Sequence, residues 1–160
     1  MAEHSSDEVR FRRAAEGDVE AVTELVQRAY DVYLTRLGLR PGPMDDDYGD
    51  AIRTRETWVA ESGERIVGLL VLVLEDEALL LDNVAVDPEA QGRGIGRSLL
   101  ALAERRAREA ALPVVRLYTN VVMEENQRLY ESLGYVETRR AQEDGHGRVF
   151  YEKPVRRRRR

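Results

Sequence analysis

Asp82-Asn83-Val84-Ala85-Val86-Asp87-Pro88-Glu89-Ala90-Gln91-Gly92-Arg93-Gly94-Ile95-Gly96-Arg97 reads as the end of a buried strand, a short turn, three alternate glycines and the first turn of a helix. Upstream, Ala78 to Val86 is an apolar run of strand length. Downstream, Ile95, Leu99, Leu100, Leu102, Ala103, Ala107 and Ala110 recur at helical spacing. Glycine lets backbone N–H groups approach a ligand with no Cβ in the way. The first N–H groups of a helix lack internal partners, and its dipole favours an anion beside them. The stretch therefore predicts a phosphate or pyrophosphate seated on Gly92 to Arg97. A glycine-rich turn with no ligand is the plain alternative.

The details of the loop separate its relatives. A P-loop needs Lys-Ser/Thr after the last glycine, and here the pair is Arg97-Ser98. A Rossmann fingerprint wants Gly-x-Gly-x-x-Gly, whereas Gly96 falls one residue early. It also wants an acid ending a second strand, and the stretch about twenty residues on is still helix. What remains is Gln-x-x-Gly-x-Gly, Gln91 to Gly96, preceded by Val84-Ala85-Val86 and Asp87-Pro88. This resembles the acyl-CoA pyrophosphate loop of the GCN5-related N-acetyltransferase (GNAT) superfamily.

Composition narrows the setting. A chain of 160 residues with 42% apolar and 34% charged residues suits one α/β domain with a full core. With no cysteine there is no disulfide, no thiolate metal site and no acyl-cysteine intermediate. Neither His4 nor His146 has metal-ligand spacing, so no metal is expected. The polar N-terminus and the lack of a long apolar run make the cytoplasm the default and a membrane partner unexpected. Net charge is −5, and the remainder without Arg156 to Arg160 is five units more negative. An acidic body argues against nucleic acid as a partner, and terminal charge runs are usually solvated.

In chain order the pattern predicts a strand at Val9 to Arg13, with Asp18 as the N-cap of a helix from Val19 to about Thr35. Its inward face is Val22, Leu25, Val26, Ala29, Val32 and Tyr33. A Gly/Pro-rich loop leads to a short helix from Asp45 to Arg55. Thr57 to Glu61 and Arg65 to Leu74 form a hairpin, then come the Ala78 to Val86 strand and the long helix. The strand from Val114 to Thr119 follows a crossover, which makes it parallel to Ala78 to Val86. A helix from Glu124 to Leu133 precedes a closing hairpin of Tyr135 to Ala141 with Arg148 to Tyr151. The order matches an α/β (α+β) fold of the superfamily type: a mixed central sheet of six to seven strands, about four helices and a splayed parallel pair. Residues 9–154 read as a single domain, with 1–8 and 155–160 as loose tails.

The resemblance implies acetyl-CoA, or another short acyl-CoA, as co-substrate and a homodimer as the assembly. It implies that Val84, Ala85 and Val86 bind the pantetheine arm while Gln91, Gly92, Arg93, Gly94, Ile95, Gly96 and Arg97 hold the pyrophosphate. Splayed strands leave N–H and C=O groups that an extended amide arm can pair with, and an N–H near Val84 can steady the thioester oxyanion. Asn126 to Tyr135 is similar to the family's Leu-Tyr-x-x-x-Gly-Phe/Tyr segment, in which the tyrosine protonates the departing thiolate; Tyr130 holds that place. A core role is the other reading of Tyr130. One common form of the pattern has an asparagine seven residues before the tyrosine, where this chain has Met123. Asn126, one helical turn from Tyr130, is the substitute cofactor contact, and Asn120 reads as a turn residue.

Asp82 is the first candidate for the base that takes the amine's proton, ahead of Glu75. Tyr30, Tyr33, Asp47 and Tyr48, with Asp45 and Asp46, give the acceptor wall an aromatic, acidic character suited to a cationic amine. A solvated acidic helix start explains the same acids. The leading expectation is direct acetyl transfer to a small-molecule amine. A protein N-terminus or lysine is the enzymatic alternative, and a non-catalytic CoA-binding module the alternative of another class.

Overall fold

In the computed structural model, residues 8–38, 40–143 and 145–156 are described. His4, Asp144, Arg157 to Arg160 and most of the expected N-terminal tail lie outside them. The strands are β1 (Val9–Arg13), β2 (Glu56–Ser62), β3 (Arg65–Leu74), β4 (Leu79–Val86), β5 (Val114–Asn120), β6 (Val136–Glu143) and β7 (His146–Pro154). The helices are α1 (Val19–Leu37), α2 (Tyr48–Thr54), α3 (Ile95–Glu109) and α4 (Glu124–Ser132). Hydrogen-bonded neighbours follow the order β1-β2-β3-β4-β5-β7-β6, a mixed seven-stranded sheet as the sequence predicts. The chain groups into two compact units, Met1–Leu72 with Asn83–Leu102, and Val73–Asp82 with Ala103–Arg160.

In the first unit, β2 and β3 form the expected hairpin, turning at Gly63 with φ of +62°, and β1 pairs antiparallel to β2. Val22, Leu25 and Val26 of α1 pack with Tyr48 and Ala51 of α2 and with Val59, Leu69, Val71 and Ala85 of the strands. That cluster reaches along α1 only as far as Ala29 and Tyr30, so Val32, expected on the inward face, is exposed. Gly38 ends α1 in the left-handed region, φ +62°, with its N–H donating to the Leu34 carbonyl at 3.0 Å. A Cβ at Gly68 of β3 would stand 3.1 Å from both Ile95 Cγ2 and Leu99 Cδ1, so the first turns of α3 lie directly on the strand.

α1 starts at Val19 with Asp18 at its N-cap position, as expected, but the Asp18 side chain makes no capping bond; its carboxylate accepts from the Ala15 N–H at 2.7 Å and from the two Arg12 Nη atoms at 2.8 and 3.0 Å. Those bonds, Arg12 foremost, hold the Asp18 carboxyl below the usual carboxylate range. Gly42–Asp45 is a separate 3-10 turn, and α2 begins at Tyr48 because Asp47 accepts the Asp50 N–H at 3.1 Å.

In the second unit, β4 and β5 pair in parallel, but only over Leu79–Leu81 with Val115–Leu117. Both strands run on beyond that register, to Val86 and Asn120. β7 pairs antiparallel with β5 on one side and β6 on the other. It is longer than the sequence reading, because His146 and Gly147 continue the ladder rather than forming the turn. Val155, read as the start of a loose tail, is buried and donates its N–H to the Pro113 carbonyl at 2.8 Å.

Candidate active site

The glycine stretch sits in the first unit, where β4 runs through a 3-10 turn, Pro88–Ala90, into α3. Gly92 and Gly94 adopt φ of +86° and +74°, values that L side chains reach only with strain. A Cβ at either would meet nothing within 4 Å, so the backbone there faces open space. Gln91, Gly92, Arg93, Gly94 and Arg97 are exposed, and Ile95 turns inward as a core anchor. The first backbone bond of α3 runs from the Ser98 N–H to the Gly94 carbonyl at 3.0 Å. The N–H groups of Ile95, Gly96 and Arg97 therefore precede the helical ladder, at the positive end of a 15-residue helix. Arg93 reaches the Ser62 hydroxyl at 3.4 Å.

Along β4, burial alternates strictly. Asp82, Val84 and Val86 share the half-buried face, and Leu81, Asn83 and Ala85 point into the core. The strand end is tied down by Asp87, which sequence reasoning noted only as part of a dipeptide. Its carboxylate is fully buried and accepts from Arg28 at 2.9 Å, from the Glu89 N–H at 3.0 Å and from Arg65 at 3.4 Å. Its own N–H donates to the Val67 carbonyl at 2.8 Å. An open pocket of about 360 Å³ lies beside this anchor, lined by Arg65, Glu89 and Arg93 among others. Arg65 is already paired there with Glu89 at 3.3 Å.

The acceptor-wall residues are drawn together, but not all as an exposed wall. The Tyr30 and Tyr33 rings lie 6.3 Å apart, both half-buried. Tyr48 is 2% exposed, with its hydroxyl donating to the Pro43 carbonyl at 2.6 Å. Asp47 caps α2, Asp45 pairs with Arg40 at 2.6 Å and Asp46 with Arg55 at 3.1 Å. The acidic run is thus engaged by its own neighbours, two of its carboxylates in ion pairs and the third as a helix cap.

In the second unit, Tyr130 is 4% exposed and lies in a group of tyrosines, its ring 6.1 Å from Tyr135 and 5.9 Å from Tyr151. The Tyr135 hydroxyl donates to Glu104 at 3.3 Å, and Glu104 also takes Lys153 at 2.9 Å. The Tyr151 hydroxyl donates to Glu131 at 3.3 Å. Burial, reinforced by those carboxylates, raises both phenols, Tyr151 to about 12 and Tyr135 further. Neither is suited to give up a proton near neutrality. Asn126 is half-buried and donates to the Thr119 hydroxyl at 3.4 Å, while Asn120 accepts the Val122 N–H at 3.0 Å as a turn residue.

Sequence reasoning passed over Asn83, Asp87 and the Glu104–Tyr135–Lys153 group. Asn83 carried a signal: a polar residue in the inward series Leu79, Leu81, Asn83, Ala85 demands buried partners. No helix among the described residues is long and apolar enough to cross a membrane. Among those residues no group of three acids or histidines is placed to hold a metal.

Residues 53–137 match the model of the acetyltransferase (GNAT) domain. The chain belongs to the GNAT acetyltransferase family. It is 52% identical over 52 residues to a mycothiol acetyltransferase of Nocardiopsis dassonvillei, a match covering 32% of this chain and 16% of that protein. It is 33% identical over 87 residues to N-acetyltransferase 8B of Homo sapiens, covering 51% of this chain and 38% of that protein. The chain thus spans less than half the length of either relative. The PaiA N-acetyltransferase of Thermoplasma acidophilum, solved in complex with coenzyme A, has a TM-score of 0.78 at 16% identity. That likeness covers 92% of this chain and 99% of that one, and is a likeness of fold.

Proposed function

We propose that this chain is an acetyl-CoA-dependent N-acetyltransferase that moves the acetyl group directly to an amine, with a small molecule as the acceptor. The observation that carries the reading is the glycine turn at Gly92 and Gly94, open to solvent and leading into the N-terminus of α3. Backbone N–H groups from Gly92 to Arg97 take the pyrophosphate, where the helix dipole adds to the hydrogen bonds. The pantetheine arm pairs with the backbone of Val84, Ala85 and Val86, and Asn126 is a further cofactor contact. A domain of this family and a fold neighbour in complex with coenzyme A support the choice of co-substrate.

The chemistry needs two proton movements. Asp82 takes the proton of the attacking amine, whose nitrogen forms a bond to the thioester carbon. The oxyanion that develops accepts the Val84 N–H; such a donor contributes roughly 3–4 kcal/mol of barrier lowering. The carbon–sulfur bond then breaks, and Tyr130 gives its proton to the leaving thiolate. With no cysteine in the chain, transfer without an acyl-cysteine intermediate follows. Tyr30 and Tyr33 supply the acceptor contacts.

The test is thiol release from acetyl-CoA over a panel of small amines, with peptide N-termini and lysine peptides as a second arm. Release with a small amine, together with the acetylated product, is expected. Release with peptides alone moves the acceptor class to protein amines. Saturable acetyl-CoA binding without release on any amine overturns catalysis in favour of a CoA-binding module.

A further inference from the structure

Asn83 occupies an inward position of β4 that an apolar side chain would fill, as Leu81 and Leu79 do two and four residues earlier. It is 6% exposed. A buried carboxamide must find partners for both its oxygen and its NH2 group, or lose their desolvation energy outright. Its partners come from two different helices. The Tyr30 hydroxyl of α1 donates to Asn83 Oδ1 at 2.7 Å and lies 3.3 Å from the Val84 carbonyl oxygen. Asn83 Nδ2 donates to the Tyr48 hydroxyl of α2 at 3.0 Å.

The direction of these bonds is fixed by proton count. A phenol has one proton, and that of Tyr48 goes to the Pro43 carbonyl at 2.6 Å. Tyr48 therefore meets Asn83 as an acceptor, so the carboxamide must present its NH2 group there. That leaves Oδ1 for the proton of Tyr30. The result is one chain of bonds from α1, through the strand, to the segment between α1 and α2.

We infer that Asn83 is a positioning residue that holds the α1–α2 segment in register with the Val84 backbone, and that Tyr48 is the strut of this link rather than a substrate contact. The inference rests on the proposed acetyl transfer, since it assigns the acceptor-side wall and the Val84 N–H a fixed spacing. A fully satisfied buried network of this kind specifies one arrangement, and cutting any member frees the others. Acceptor binding, which needs the wall in place, is then more sensitive than cofactor binding on the loop.

The experiment compares Tyr48→Phe, Tyr30→Phe, their double variant and Asn83→Leu with the wild type, for the amine giving the fastest thiol release. Tyr48→Phe keeps the ring in the core and removes only the hydroxyl. A rise in acceptor KM of roughly five- to tenfold is expected, from the worth of one hydrogen bond. The acetyl-CoA dissociation constant should rise by less than the acceptor KM, because the glycine loop that takes the pyrophosphate is untouched. Tyr48→Phe and Asn83→Leu should raise KM alike, because both cut the same chain, while Tyr30→Phe and the double variant, which also lose an acceptor contact, should raise it further. Wild-type acceptor KM in both Tyr48→Phe and Asn83→Leu, with only a lower Tm, overturns the inference and leaves Asn83 as core. Amide hydrogen exchange on the same variants needs no amine. Joint acceleration at 41–47 and 84–86 is expected, and acceleration at 41–47 alone overturns the link. A wild type that acetylates no amine sinks the proposed activity while this exchange result still decides the positioning claim.

Discussion

Gly94 and Gly145 have nearly the same backbone, φ of +74° and +79°, and a Cβ at either would meet nothing within 4 Å. Replacing either with alanine imposes the left-handed penalty of about 1–2 kcal/mol and no clash. For a chain of this size that lowers Tm by about 2–8 °C. Folding strain is therefore matched between the two variants, and the ligand separates them. At Gly94 the new methyl stands in the open space from which a phosphate would reach the N–H groups leading into α3. One hydrogen bond to a charged group is worth about 1.5–3 kcal/mol, so acetyl-CoA should bind Gly94→Ala roughly 10- to 150-fold more weakly. Gly145→Ala, in the β6–β7 turn, should keep wild-type affinity. Calorimetric titration gives the dissociation constants directly. In a thermal-shift assay, ligand at a hundred times its dissociation constant stabilises the wild type by about 2.7 kcal/mol, or about 5–11 °C. Gly94→Ala with wild-type affinity, or equal loss of affinity in the two variants, would refute the reasoning.

Tyr130→Phe should lower kcat about 100-fold, within the usual contribution of a general acid, and leave the acetyl-CoA dissociation constant unchanged; unchanged turnover in steady-state kinetics would return Tyr130 to a packing role. Asp87→Ala removes a buried carboxylate from Arg28 and Arg65. Both arginines are substantially exposed, 44% and 63%, and so regain water. The stability loss in denaturant unfolding should therefore be about 1–2 kcal/mol rather than the 3–5 kcal/mol of a fully buried pair, with weaker acetyl-CoA binding beside it. The Asp18 carboxyl, held low by Arg12, contributes stability that is fully present above its ordinary unfolded pKa and is lost as pH falls through the lowered folded value. Asp18→Asn should remove on the order of 1 kcal/mol at neutral pH, given the exposure of Arg12, and flatten acid unfolding below the ordinary carboxylate range. An unchanged acid limb would contradict that assignment.

Where periodicity and turn chemistry agree, the sequence already carried the fold. The β2–β3 hairpin around Gly63, the α3 face from Ile95 to Ala107 and the parallel pairing of β4 with β5 all follow from local pattern. What failed locally was decided by competition between neighbours. Asp18 takes the N-cap position but makes no capping bond, because Arg12 and the Ala15 N–H hold its oxygens. Val32 had the right helical spacing, but the core it should meet ends at Tyr30. Among the site residues, the open glycine turn was legible because backbone access is a property of glycine itself. The ion pairs of the acidic run were not legible, because charge in a sequence does not reveal that Arg40 will pair with Asp45 and Arg55 with Asp46. Asn83 shows the opposite case: its side chain breaks an apolar series, and that break points to the network linking two helices to β4.

The central claim is that main-chain amides from Gly92 to Arg97 hold the diphosphate of coenzyme A. Titrating coenzyme A into the 15N-labelled protein and following each backbone amide tests it most directly. The account predicts saturable shifts that are largest at Gly92, Gly94, Ile95 and Gly96, with smaller ones over Val84 to Val86. Saturable binding that leaves those amides in place, and moves instead those around Arg65 and Glu89, would contradict it.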